Sequence, residues 1–203
     1  MAKAEKPHSS VGRGARLPER RTAETRVRVE LDLDAAREAR IATGHGFFDH
    51  MLHAFAKHGR FGLVVEAEGD RTGPHHLVED VAILLGESLL AAAGDKAGIE
   101  RFGDIAIPMD ETLVQVAVDF CGRGFLVFDA PETQEGETGL SIHLVHDFFY
   151  ALSFHGRFNL HLRALTGRNP HHIIEAMFKG TGVALRRALA ITGKGIPSTK
   201  GVL

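Results

Sequence analysis

The residues with the most chemistry in this chain are its histidines, 13 in 203. Imidazole titrates near neutrality and is the commonest protein metal ligand, so what matters is whether they are scattered or organised. The segment Pro74-His75-His76-x-x-Glu79 recurs as Pro170-His171-His172-x-x-Glu175. At the start of a helix this spacing puts the second His and the Glu on one face, with the first His about 100° round the axis. Adjacent histidines then point in different directions, which suits two metal ions, or one ion and an outer contact, better than side-by-side chelation. A lone block of this kind is ordinary on a solvated helix; its repetition points to a divalent first-row metal held by imidazole and carboxylate.

A second pair of matched positions adds ligands. Asp49-His50 precedes the first block, and His146-Asp147 stands at the equivalent place before the second. If the second member of each pair faces the metal, the ligands are His50 and Asp147; if the second site uses the first member, His146 replaces Asp147. His58-Gly59-Arg60-Phe61 also recurs, as His155-Gly156-Arg157-Phe158, where a shared turn hydrogen bond and a substrate contact explain the histidines equally well. His45, His53, His143 and His161 have no like partner and are read as solvated surface.

The elements that must position these residues also occur twice. Alternation over Val27 to Leu33 reads as a strand, a second strand follows near Arg40 to Thr43, a helix runs over Asp49 to His58, and an extended stretch over Phe61 to Ala67. Leu77, Val78, Val81, Leu84, Leu85 and Leu89 then mark a longer helix. The order returns with strands over Leu113 to Phe120 and Phe125 to Asp129, separated by turn residues Gly122-Arg123-Gly124, a helix near Leu144 to Phe154, a strand over Phe158 to Leu165 and a closing helix. The expectation is an α+β fold built from a duplicated ββαβα repeat, packed as a pseudo-symmetric pair. Its expected organisation is a disordered basic tail over 1–21, repeats over 22–108 and 109–192, and a C-terminal tail over 193–203.

Composition removes several function classes. The formal net charge is −2, without the basic surplus that a phosphate-backbone binder needs, so nucleic acid is not an expected partner. No apolar run approaches a membrane span, and the basic first residues lack the apolar segment of a secretory signal. A lone cysteine, Cys121, fits a reducing, cytoplasmic setting. There is no phosphate loop, dinucleotide fingerprint or nucleophile elbow. The terminal Gly193-Lys194-Gly195-Ile196-Pro197-Ser198-Thr199-Lys200-Gly201, with glycine-freed amides, hydroxyls and ammonium groups, could cradle a phosphate monoester or simply be a polar tail.

From about Arg21 to Leu203 the chain closely resembles the imidazoleglycerol-phosphate dehydratases of histidine biosynthesis. The resemblance rests on Gly46-Phe47-Phe48-Asp49-His50-Met51-Leu52, the two His-His-x-x-Glu blocks, Arg101-Phe102-Gly103-Asp104 and the terminal Ile196-Pro197-Ser198-Thr199-Lys200-Gly201-Val202-Leu203. It implies a fold like domain 2 of ribosomal protein S5, with a helical layer between two sheets. It also implies two divalent ions per site, most often Mn2+, held by His50, His75, His76, Glu79, His171, His172, Glu175 and the position of Asp147. Glu24 is implied as an acid/base residue. Substrate contacts are implied for Glu24, His58, Arg101, Arg123, Lys179, Ser198, Thr199 and Lys200. The implied assembly is a homo-oligomeric shell, usually of twenty-four subunits, with active sites at interfaces.

Such a site suits the chemistry. Dehydrating imidazoleglycerol phosphate removes a weakly acidic C–H and expels hydroxide without an organic electron sink. Metal-stabilised imidazolate would supply the electron density that expels hydroxide, leaving a diazafulvene-like species that loses a proton to the enol of imidazole-acetol phosphate. Two other readings use the same residues: a dinuclear metal phosphoesterase, which would release inorganic phosphate, and a non-enzymatic metal-binding protein, which would take up metal without turnover.

Overall fold

A computed structural model of the chain describes residues 12–35, 38–132 and 139–203. Residues 1–11 of the expected tail lie outside the described part. The rest of that tail is folded: β1 (Gly14–Arg16) and β2 (Arg20–Arg21) both pair antiparallel with β3 (Thr25–Asp32). Two polar strands this short carry too few alternations to be read from sequence; they form because β3 offers them an edge.

The first repeat continues with β4 (Arg40–Ala42), α1 (Gly46–Gly59), β5 (Gly62–Gly69) and α2 (His75–Ala93). The second comprises β6 (Phe102–Met109), β7 (Thr112–Asp119), β8 (Phe125–Asp129), α3 (Ile142–Gly156), β9 (Asn159–Thr166) and α4 (Pro170–Ala188). The sheets have matching orders, β1-β3-β5-β4 and β6-β7-β9-β8. Strand β6 pairs with β7 along its whole length, so residues 102–109 belong to the second sheet, although the expected repeat boundary fell at their end. The Gly122-Arg123-Gly124 turn does not join neighbours either, because β9 lies between β7 and β8 and pairs parallel with β8.

Alternation fixes the inner faces. Val27, Val29, Leu31 and Leu33 are buried in the first sheet and Val114, Val116 and Val118 in the second. The helices fill the space between the sheets, α2 lying on β3 and against α3, and α4 on β6 and β7 and against α1. Each helix pair therefore joins the two repeats. The rings of Phe148, Phe149 and Phe178 meet in the middle at 4.8–5.1 Å.

The repeated His-Gly-Arg-Phe segments form helix ends. Arg60 and Arg157 take the left-handed conformation at φ 54° and 53° and return their N–H groups to the last turns of α1 and α3. A glycine on each partner helix lets it approach these helix ends closely. A Cβ on Gly182 of α4 would lie 2.4 Å from the carbonyl oxygen of Phe55, and one on Gly86 of α2 would lie 2.6 Å from that of Leu152. Because backbone cannot swing aside as a side chain can, Gly182→Ala is expected to cost about 2–3 kcal/mol. Chemical denaturation reads this; an unchanged midpoint would show that α1 and α4 can separate freely.

Candidate metal centre

Both His-His-x-x-Glu blocks sit in the first turns of their helices, where backbone N–H groups lack intrahelical acceptors. Pro170 opens α4, and the Asn169 side chain accepts the His171 N–H at 2.9 Å; Pro74 precedes α2. The pairing within each block differs from the expected one. Glu175 meets the first histidine, Nε2 of His171 to Oε2 at 2.9 Å, and Glu79 likewise faces His75 at 3.8 Å. The four-residue spacing wins because helical side chains lean toward the N-terminus, stacking residue i+4 beneath residue i. The second histidines are thereby left to the loops: Nδ1 of His76 lies 3.0 Å from Asp70 and Nδ1 of His172 lies 2.8 Å from Glu111.

Residues from different repeats complete these groups. His50 of α1 reaches Glu175 at 3.2 Å, so that His50, His171 and Glu175 offer ligand atoms within 4.8 Å of one another. The edge of Phe47 packs on His171 at 5.1 Å between ring centres. Glu175 is nearly buried, which alone would raise its pKa; hydrogen bonds from Lys179, His171 and His50 outweigh this and hold it at about 2. The matching group on the other side is looser, with Asp147 of α3 4.0 Å from Nδ1 of His75. His146 touches Asp147 at 3.1 Å, but its ring packs against Phe128 and Tyr150. A third group, Glu24, Asp70 and His76, also lies within 4.8 Å. The nitrogen and oxygen donors of the first two groups fit a divalent first-row ion; in the third, Asp70 is taken up by Nδ1 of His76.

A cleft of about 760 Å³ beside the first group is lined by His50, Lys57, His58, Glu175 and Lys179. Lys179 Nζ lies 2.6 Å from Glu175, and His58 is held below its ordinary pKa by burial and by the nearby Lys179 and Lys57. His155, the repeat partner of His58, instead pairs with Glu87 at 3.4 Å. His45 is not free surface: its Nδ1 accepts the Phe48 N–H and caps α1.

A second cleft, of about 390 Å³, gathers Arg101, Arg123, Ser198, Thr199 and Lys200. Residues from three separate stretches of the sequence thus meet around one hollow. Arg101 also donates to both oxygens of Asp119, at 2.7 and 3.2 Å, and to the Pro197 carbonyl at 3.0 Å, which ties the C-terminal segment down.

Asp70, Glu111 and Asp119 were not selected from sequence. For Glu111 a signal existed: Glu24-Thr25-x-Val27-x-Val29 recurs as Glu111-Thr112-x-Val114-x-Val116. Hydrogen bonds from the backbone of Asn169, from His172 and from the backbone of Arg168 hold Glu111 far below the usual carboxylate range.

The family model for imidazoleglycerol-phosphate dehydratase matches residues 43–185. The chain belongs to the imidazoleglycerol-phosphate dehydratase family. Its relatives of that name include one from Lacticaseibacillus casei, 55% identical over 187 residues, covering 91% of this chain and 96% of the relative. Another, from Methanococcoides burtonii, is 52% identical over 189 residues with the same coverage of each chain. Among solved structures, the Pyrococcus furiosus dehydratase, crystallised in complex with (S)-C348, superposes with a TM-score of 0.81 at 37% identity, covering 92% of this chain and 100% of that one. The Staphylococcus aureus dehydratase gives 0.79 at 36% identity, with 89% and 99% covered. Family and fold both agree with the resemblance read from the motifs.

Proposed function

We propose that this chain is a hydro-lyase that converts D-erythro-imidazoleglycerol phosphate to imidazole-acetol phosphate and water in histidine biosynthesis. The observation that carries the reading is the convergence of His50, His171 and Glu175 from separate repeats, within a chain of the dehydratase family. His50, His75, His76, Glu79, Asp147, His171, His172 and Glu175 would hold two divalent ions, with Mn2+ the proposed metal. When bound, the ions supply Lewis acidity toward the substrate's imidazole ring. The proximity of Asp147 rather than His146 to His75 supports Asp147 as the eighth ligand.

The chain's own residues supply the rest. Glu24 is exposed and lies 3.7 Å from Nδ1 of His76, beyond a full hydrogen bond, so its carboxylate is available to take a proton from substrate and return it. Lys179 and His58 line the cleft beside the first ligand group and orient the reacting portion. Arg123, Lys200, Ser198 and Thr199 suit a phosphate dianion, while Arg101 contributes charge and holds the terminal segment. Phe102, Phe125, Tyr150 and Phe154 are each more than half exposed on a single chain, which supports burial between copies in a homo-oligomer, proposed as a shell of twenty-four. Among the described residues no helix is long and apolar enough to cross a membrane; a cytoplasmic location is proposed.

The test is direct. Purified protein loaded with Mn2+ should form imidazole-acetol phosphate from imidazoleglycerol phosphate and release no inorganic phosphate. Phosphate release would instead favour a phosphoesterase, and metal uptake without turnover a binding protein.

Acid should empty the site. An imidazole must be neutral at its ligating nitrogen, so protons and metal compete. The hydrogen bond to Asp70 outweighs desolvation and raises the His76 pKa, so protonation there sets in at a higher pH than for a free histidine. Bound Mn2+, measured after dialysis, should fall from full occupancy near pH ~8 to little by about pH 5, below the histidine reference value. Constant occupancy across that range would exclude a histidine-dominated site.

A further inference from the structure

Glu24 and Glu111 occupy the same place in the two repeats, each one residue before the strand, β3 or β7, that pairs across the middle of its sheet. Each stands near the second histidine of its repeat's block, but their bonding differs. Both oxygens of Glu111 are engaged: Oε2 lies 2.8 Å from Nδ1 of His172, and Oε1 accepts the backbone N–H groups of Arg168 at 3.1 Å and Asn169 at 2.9 Å. Glu24 is 3.7 Å from Nδ1 of His76, whose bond goes to Asp70 at 3.0 Å. The other oxygen of Asp70 is fixed by the backbone N–H and hydroxyl of Thr72, at 3.0 and 2.7 Å. At the position matching Asp70, six residues before His172, the second repeat has Thr166, which cannot accept as a carboxylate does and instead donates to the Glu111 carbonyl at 3.1 Å.

We propose that Glu111 and Asp70 are matched positioning residues, which hold His172 and His76 in the tautomer with hydrogen on Nδ1 and so leave Nε2 as the metal-binding nitrogen. An ionised carboxylate can only accept, so a ring nitrogen facing one must carry the hydrogen. Asn169 and Asp110, the other polar groups near Nε2 of His172, stand off at 3.5 and 3.7 Å. The assignment rests on the metal reading above. It also explains why two equivalent glutamates have separate tasks: Asp70 takes over the orienting bond in the first repeat and frees Glu24 for substrate, whereas Glu111 keeps it in the second.

The test uses full-length protein stripped of metal, titrated with Mn2+ by calorimetry, with the melting temperature of the metal-free form measured in parallel. Glu111→Gln keeps a carbonyl for the loop N–H groups and turns an amide N–H toward His172, which favours the wrong tautomer. It is expected to weaken Mn2+ binding about 10- to 100-fold with little change in metal-free melting temperature. Asp70→Asn should do the same without touching the loop before α4, and Glu24→Gln should leave affinity unchanged. A lowered melting temperature with wild-type Mn2+ affinity in Glu111→Gln would make Glu111 a loop clamp only and overturn the proposal, as would unchanged affinity in Asp70→Asn if Glu111→Gln does not fold. Wild-type protein that takes up no Mn2+ would overturn the metal reading itself, and this assignment with it.

Discussion

Glu24→Gln is expected to lower kcat by about 100- to 10,000-fold, the span that general acid–base catalysis contributes, while bound metal stays at the wild-type level. The change removes a proton acceptor and little else. Glu24 is exposed, its backbone N–H bonds to the Thr22 hydroxyl, and its carboxylate makes no short hydrogen bond that the amide would forfeit. In free-energy terms the loss is about 3–5 kcal/mol of barrier lowering. A steady-state assay with metal analysis on the same sample separates the outcomes. Near-normal turnover would remove Glu24 from proton transfer, whereas joint loss of metal and activity would make it a ligand.

His171→Ala should act on the metal instead. Its Nε2 is 2.9 Å from Glu175, and it stands between Glu175 and the ring of Phe47 in the tightest of the ligand groups. Outer-shell changes typically weaken metal sites 10- to 100-fold, so deleting a direct ligand should cost more than about 100-fold in Mn2+ affinity, with turnover falling in parallel. His171 is half-buried and lies at a helix start, away from the aromatic core, so the metal-free variant should melt close to wild type. Equal Mn2+ content in variant and wild type after dialysis would exclude His171 as a ligand.

What could be read from sequence was what is written twice in similar words. The two His-His-x-x-Glu blocks, the His-Gly-Arg-Phe helix ends and the alternating strands β3, β7 and β9 each carry a local period or a repeated phrase. Asp70 had no such mark, and the phrase that Glu111 shares with Glu24 says nothing of His172, because a loop carboxylate reaches a helix start through tertiary folding, not through spacing. The expected pairing of Glu with the second histidine fails for a related reason: a spacing of three matches the angle around the axis, but the tilt of side chains along it favours a spacing of four. β1 was missed because it is short and largely exposed, and β6, although its burial alternates, because Pro108 argues against a strand unless the strand lies at an edge.

The cross-repeat helix pairs carry a further consequence. His50 comes from α1 and meets His171 and Glu175 of α4, while Asp147 comes from α3 and faces His75 of α2. Neither half of the chain contains the whole of either of these two groups. Were the chain severed between α2 and β6, each group would have to form by a bimolecular encounter. The intact polypeptide replaces that encounter with an effective concentration set by its own connection. On the proposed ligand set, covalent continuity would therefore act as part of the affinity for metal, though no residue of the connection need touch it.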